Sequence, residues 1–112
     1  MKTFHTTRLM TTALILGIFA SAMAMTAYGK VFNDKYHVKD GSTLAEAKCG
    51  VCHVKANGGK LDAYGKDIQV AMKAEGAKKL TPAILTKVES LDSDKDGKKN
   101  LAEITSDSNP GK

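Results

Sequence analysis

Large aromatic side chains are scarce in this sequence, which has no tryptophan and only three tyrosines and three phenylalanines among 112 residues. It also has only two prolines and two cysteines, so a scaffold held by several disulfides is excluded. No segment alternates apolar and polar residues with a period of two, the pattern that predicts half-buried strands. The sequence therefore predicts a helical domain with few large side chains of its own for the core.

The N-terminal segment has the features of an export signal. Lys2 and Arg8 precede an apolar run at residues 13–20, which is too short to span a bilayer and is followed by small residues. We expect cleavage after Gly29, and an earlier alanine offers the alternative site. A membrane anchor that is not cleaved is the other interpretation of this run. The prediction is an exported protein, periplasmic or extracellular, with a signal peptide at residues 1–29.

Removal of that signal leaves one domain, residues 30–112, which is 83 of the 112 residues. Domains of this size bury a marginal core and commonly gain stability from a metal, a cofactor or disulfides. The basic count falls from 17 to 15 against 12 acidic residues, so the net charge falls from +5 to +3. Nucleic acid is not an expected partner, because no aromatic residues are interleaved with the lysines. No stable membrane insertion is expected after cleavage.

The apolar residues predict three helices after an irregular lead-in at residues 31–40. Thr43 and Glu46 have the spacing of a capping box, and Thr81 is followed by a proline at the first helical position. A reversal is expected at residues 57–59, where an asparagine precedes two glycines. The helices are predicted from Leu44 into the cysteine pair, from Asp62 or Lys66 to Glu75 before Gly76, and from Thr81 to about Leu91, with Ile68, Ala71, Met72, Ile84, Leu85, Val88 and Leu91 facing inward. The predicted fold class is all-α.

The most specific pattern is the CxxCH motif formed by Cys49, Cys52 and His53. Two thiols at this spacing can each add to one vinyl group of a haem, and the adjacent histidine is then placed under the iron as an axial ligand. The motif predicts one covalently attached haem c, which would also fill the centre of the domain. A disulfide leaves His53 unexplained, and a thioredoxin-like dithiol needs a βαβ pattern. A zinc site needs two more ligands, and His37 is the only further histidine after the signal.

The ligand on the opposite face of the iron has two candidates. Met72, on the second predicted helix, can offer its thioether and would raise the potential, although core packing is the common role of such a methionine. His37, in the lead-in, would give bis-histidine ligation at lower potential. A vacant or partner-supplied position is the third alternative.

Residues 92–103 match the twelve-residue calcium loop of EF-hands and related repeats. The predicted ligands are the side chains of Asp92, Asp94, Asp96, Asn100 and Glu103 and the backbone carbonyl of Lys98. Gly97 permits the turn at position 6, whereas Lys99 replaces the aliphatic residue that normally pairs two such loops. The loop therefore predicts a solitary, structural Ca²⁺ site; an acidic turn that binds no ion is the alternative.

The order of these motifs resembles that of small exported bacterial monohaem c-type cytochromes with a C-terminal calcium loop of the EF-hand or thrombospondin type. The matching segments are the CxxCH motif, Tyr-Gly-Lys-Asp at residues 64–67, the loop at residues 92–103 and a closing turn at residues 109–111. The resemblance implies a small cytochrome c-like helical domain around one haem. It also implies haem-mediated electron transfer outside the cytoplasm.

We therefore expect a one-electron carrier, not an enzyme, that meets redox partner proteins. Six lysines after the cysteine motif either keep the surface soluble or form a docking face for an acidic partner; they are Lys55, Lys60, Lys66, Lys73, Lys78 and Lys79. The alternatives are a subunit of a calcium- or partner-linked multi-haem assembly and a haem sensor or peroxidase-like protein with an open sixth site. The oligomeric state is left open.

Overall fold

The computed structural model describes residues 26–112, and that part contains five α-helices and one two-stranded antiparallel sheet. In chain order the elements are α1 (Ala27–Tyr36), α2 (Thr43–Ala47), a 3₁₀ turn (Lys48–Val51), β1 (His53–Lys55), β2 (Gly58–Leu61), α3 (Ala63–Glu75), α4 (Pro82–Lys87) and α5 (Asn100–Thr105). The predicted export signal lies outside the described residues except for its last four. No helix within residues 26–112 is long and apolar enough to cross a membrane.

The predicted all-α class is wrong, because the cysteine motif is followed by a β-hairpin. His53 pairs with Leu61 and Lys55 pairs with Gly58, with an irregularity between the two pairs. The expected reversal at residues 57–59 does occur, and Gly58 and Gly59 have φ angles of 114° and 88° that other residues rarely adopt. The strands are too short and too rich in glycine to show the alternation from which strands are predicted.

The lead-in predicted as irregular is helix α1. The Thr26 hydroxyl accepts a hydrogen bond from the Gly29 amide at 3.1 Å, and the helix ends at His37 in a left-handed conformation. The predicted cleavage site after Gly29 therefore lies within the first turn of α1. The buried ring of Phe32 gives this helix its contact with the core, edge-on to Tyr64 at 6.2 Å between ring centroids.

The ends of the next helices test the capping predictions. Ser42 caps α2 by accepting from the Ala45 amide at 3.2 Å, so the capping box predicted at Thr43 is wrong by one residue. Helix α3 runs from its cap Asp62 to Gly76, as predicted. Helix α4 starts as predicted, with Thr81 as its cap and Pro82 in the first turn.

Helix α4 is shorter than predicted, ending at Lys87. Leu91 was expected inside, but it lies beyond the helix and is 42% exposed. Ile84, Leu85 and Val88 are buried, as predicted. The inward face predicted for the second helix is also confirmed, since Ile68 is buried and Ala71 and Met72 pack partly buried against the core.

Ten apolar side chains from all five helices and the connecting segments form one core. They are Phe32, Leu44, Val51, Tyr64, Ile68, Leu80, Ile84, Leu85, Val88 and Ile104. These side chains form the centre of the described domain. At the cysteine motif, Val51 is buried in this core and Cys52 packs partly buried against it.

Candidate functional site

The 3₁₀ turn brings the two cysteines to one side of the chain. The Cys52 amide donates to the Cys49 carbonyl at 3.2 Å, which closes a turn of three residues. Side chains three residues apart on such a turn eclipse one another, so both thiols project in similar directions. Both cysteines are free thiols of intermediate exposure.

The ring of His53 is held by the hairpin that follows the motif. Its Nδ1 lies 2.8 Å from the carbonyl oxygen of Gly59. Because a carbonyl only accepts hydrogen bonds, Nδ1 carries a proton and donates, and in the neutral ring the lone pair is then on Nε2. Histidines that bind metals are commonly oriented by a hydrogen bond of this kind from the other ring nitrogen. His53 is thus in the tautomer that a metal bound through Nε2 requires.

The environment of Cys52 suits a neutral sulfur. Burial, followed by the nearby carboxylate of Asp62, raises the pKa of the Cys52 thiol to about 12. Redox-active and metal-bound cysteines have lowered pKa values instead, because their thiolate forms are stabilised. A thioether carries no charge and avoids this penalty. The redox-active dithiol alternative is therefore disfavoured at this position.

The start of α3 packs directly against the motif. The Asp62 amide donates to the Cys52 carbonyl at 2.9 Å, and the Asp62 carboxylate accepts from the Gly65 amide at 2.9 Å. A Cβ atom at Gly65 would lie only 2.1 Å from the Cys52 carbonyl oxygen. The glycine of the Tyr-Gly-Lys-Asp segment is therefore what permits this close approach, while its neighbour Tyr64 is fully buried in the core.

The two candidates for the sixth iron ligand occupy different environments. Met72 follows Gly65 by two helical turns, so it lies on the same face of α3 about 10 Å further along the axis. Its side chain is partly buried against the core. His37 is exposed at the end of α1 and lines a groove with Leu44 and Asp107. Met72 shares the helix face that meets the motif, whereas His37 lies on the solvent-exposed surface.

The acidic loop gathers four carboxylates. One oxygen from each of Asp92, Asp94, Asp96 and Glu103 lies within 4.8 Å of the others, and within residues 26–112 this is the group that qualifies as a metal-ligand cluster. Asp92 accepts from the backbone amides of Asp96 at 3.2 Å and Gly97 at 2.8 Å, which folds the loop around its own first residue. These hydrogen bonds help to bring the four carboxylates close together.

Glu103 is the member of this cluster that most needs a partner. It is 1% exposed, and neither of its carboxylate oxygens has a hydrogen-bond partner. Burial, followed by the close approach of the Asp96 carboxyl group and then by the charges of Asp94, Asp96 and Asp92, raises the pKa of Glu103 to about 7. One oxygen of Asp94 is likewise buried and unpaired. Buried carboxylates are normally paired or bind a metal, so this set of oxygens fits a hard cation such as Ca²⁺.

Two further predicted ligands show other contacts. The amide nitrogen of Asn100 donates to the Val88 carbonyl at 2.9 Å and to the Ser93 hydroxyl at 2.8 Å, while its oxygen accepts from the Ser93 amide at 3.2 Å. The buried Asn100 side chain thus links the loop at Ser93 to the backbone of Val88. The Lys98 amide donates to Asp96 at 2.8 Å.

The contact between Ser93 and Asp67, with 2.6 Å between the two side-chain oxygens, joins the loop to α3 and was not predicted. These residues are 26 positions apart, and no short motif joins them.

The six lysines after the cysteine motif are all exposed, and Lys55 and Lys60 belong to the two strands of the hairpin that begins at His53. Comparisons of this chain with models of protein families, with curated proteins and with solved structures find no match.

Proposed function

We propose that this protein is a one-electron carrier of the c-type cytochrome class, with haem attached to Cys49 and Cys52 and His53 as an iron ligand. The observation that carries the proposal is the hydrogen bond from His53 Nδ1 to the Gly59 carbonyl, 2.8 Å long, beside two thiols on one side of a turn. Cys49 and Cys52 would hold the haem through two thioether bonds, each made by adding one S–H group across one vinyl group, so that no oxidant would be needed. Bound haem supplies an iron that cycles between two oxidation states.

The location of the motif supports transfer to other proteins over chemistry in an enclosed pocket. Cys49 and His53 are partly exposed at the edge of a core that is already filled. Because Cys49 and His53 are partly exposed, a haem held by them would be accessible to a partner protein. Lys55 and Lys60 are exposed on the hairpin that begins at His53, and their charge favours a partner with an acidic surface.

The proposed location is outside the cytoplasm, in the periplasm or beyond it, as the pattern of residues 1–29 predicts. The sequence's only arginine, Arg8, lies in that segment, and His37 is the one histidine left to act as a distal acid or base. This scarcity favours a carrier over a peroxidase-like enzyme.

An optical spectrum of the reduced protein, with and without carbon monoxide, tests the carrier against the sensor or peroxidase. A low-spin spectrum that carbon monoxide leaves unchanged supports the carrier, because both axial positions are then filled. A high-spin form that binds carbon monoxide contradicts it. Near-infrared magnetic circular dichroism of Met72→Ala and His37→Ala then identifies the sixth ligand, since the correct substitution removes the wild-type signature.

We also propose that residues 92–103 bind Ca²⁺ in a structural role. The supporting observation is Glu103, whose two buried oxygens face three aspartates without a hydrogen-bond donor. Ca²⁺ accepts a ring of carboxylate and carbonyl oxygens, and its charge offsets the repulsion among them. Because the ion binds the folded loop better than the unfolded chain, it adds stability.

The multi-haem assembly alternative makes a separate prediction about mass. If calcium joins protomers, size-exclusion chromatography shows a larger species with Ca²⁺ than with a chelator. A monomer under both conditions excludes calcium-linked assembly and leaves the carrier and the structural calcium site as proposed.

A further inference from the structure

Residues 107–112, which we call the C-terminal clasp, run across the attachment motif. The side-chain amide of Asn109 donates to the Gly50 carbonyl at 2.8 Å. The Lys112 ammonium donates to the same carbonyl and to the His53 carbonyl, the latter at 2.9 Å. Two side chains of the clasp thus hold two carbonyls of one short segment.

The clasp packs closely against Asp62, the residue that caps α3. Pro110 is fully buried, and a Cβ atom at Gly111 would lie 2.2 Å from a carboxylate oxygen of Asp62. The backbone amide of Gly111 donates to the side-chain oxygen of Asn109 at 2.9 Å. This contact orients the Asn109 side chain so that its nitrogen can donate to the Gly50 carbonyl. The buried Asp62 carboxylate lies 3.4 Å from the Lys112 ammonium and offsets its charge.

A second contact holds the helix that leads into the motif. The Asp107 carboxylate accepts from the backbone amides of Thr43 at 2.8 Å and Leu44 at 3.0 Å, at the start of α2. These amides have no partner within the helix, so Asp107 supplies one from 63 residues away. The clasp therefore contacts the start of α2, which precedes the first cysteine, and also the haem-attachment segment, residues 48–53, at Gly50 and His53.

We propose that the clasp positions the haem-attachment segment, with Asn109 and Lys112 as the positioning residues. This inference rests on the proposed function. The Gly50 peptide lies between the cysteines, so its orientation decides whether both thiols face the same way. The His53 carbonyl is held by the clasp while its ring is held by Gly59, and together these contacts fix the direction of Nε2.

Four variants separate positioning from general stability. Asn109→Asp keeps the oxygen that accepts from Gly111 and removes the donor to the motif. Lys112→Met removes the ammonium at similar length, and Lys112→Arg keeps a cationic donor. Lys78→Met removes one exposed lysine elsewhere and serves as the charge control. The measurement is amide hydrogen exchange of residues 48–53 in the protein as isolated, together with near-infrared magnetic circular dichroism of the haem-bound fraction.

Asn109→Asp and Lys112→Met are expected to exchange about tenfold faster within residues 48–53, the effect of losing one hydrogen bond to or from a charged or buried group. Both should also show a second axial-ligand species, whereas Lys112→Arg and Lys78→Met stay within about twofold of the wild type. Exchange that is unchanged, or that rises equally along the whole chain, overturns the positioning role. A wild type without covalent haem overturns the proposed function, and exchange of residues 48–53 still decides whether the clasp holds them.

Discussion

Substitution of Glu103 by glutamine isolates the proposed calcium ligand with little change in volume. Glu103 is 1% exposed and its oxygens are unpaired, so without calcium the neutral side chain should be tolerated as well as the charged one or better. With Ca²⁺ at about 100 times its dissociation constant, the wild type should gain about 2.7 kcal/mol in free energy of unfolding. For a domain of this size, that gain raises the melting temperature by about 10 to 20 °C.

Loss of the Glu103 ligand should reduce this gain steeply. If calcium affinity falls about a hundredfold, the same ion concentration stabilises the variant by only about 0.4 kcal/mol, or about 2 to 3 °C. The assay is thermal unfolding of both proteins in chelator and in CaCl₂, with MgCl₂ as the second cation. Asp40→Asn, at an exposed acidic residue outside the loop, is the control and should keep the full wild-type shift. Equal calcium shifts in the wild type and Glu103→Gln would refute the reasoning.

Three further substitutions test the packing around the two sites. Gly65→Ala should lower the free energy of unfolding by about 2 kcal/mol in denaturant titration, because the new methyl overlaps the Cys52 carbonyl; a stabilised variant would show that the close approach is absent. Asn100→Ala should cost about 2 kcal/mol in the same assay, since the buried Val88 carbonyl loses its partner and the Ser93 hydroxyl loses one of two; a loss below about 0.5 kcal/mol would contradict the stabilising role of Asn100. Backbone amides at the start of α2 lower the pKa of Asp107, so the ionised carboxylate stabilises the folded state above its unfolded pKa of about 4. The stability difference between the wild type and Asp107→Asn should therefore be full at pH 7 and shrink as the pH falls below about 4; a difference that does not change with pH contradicts this.

The parts of the fold that were predictable have strong local signals. Helix α3 ends at Gly76 because glycine adopts the left-handed conformation without strain, and α4 begins at Thr81 because a hydroxyl and a following proline suit a helix start. The hairpin after His53 has no such signal, since its strands are three and four residues long. Helix α1 was missed because Phe32 is its only buried residue, so its apolar face is faint in the sequence.

The candidate haem site likewise combines residues that a local motif predicts with distant residues that it does not. Cys49, Cys52 and His53 are adjacent in sequence, and their spacing alone predicts the chemistry of attachment. The residues that support them are distant: Asn109 contacts Gly50 across 59 positions. Contacts of this range follow from the tertiary packing, which no single-sequence pattern describes.

The most direct test of the account is the intact mass of the protein under denaturing conditions, after production in cells that attach haem to CxxCH motifs. The account predicts the mass of the polypeptide plus one haem, retained after extraction with acidified organic solvent. Replacement of both Cys49 and Cys52 by alanine should abolish this retention, whereas His37→Ala should keep it. A wild-type protein that carries no haem, or whose haem is fully extracted, would contradict the central claim.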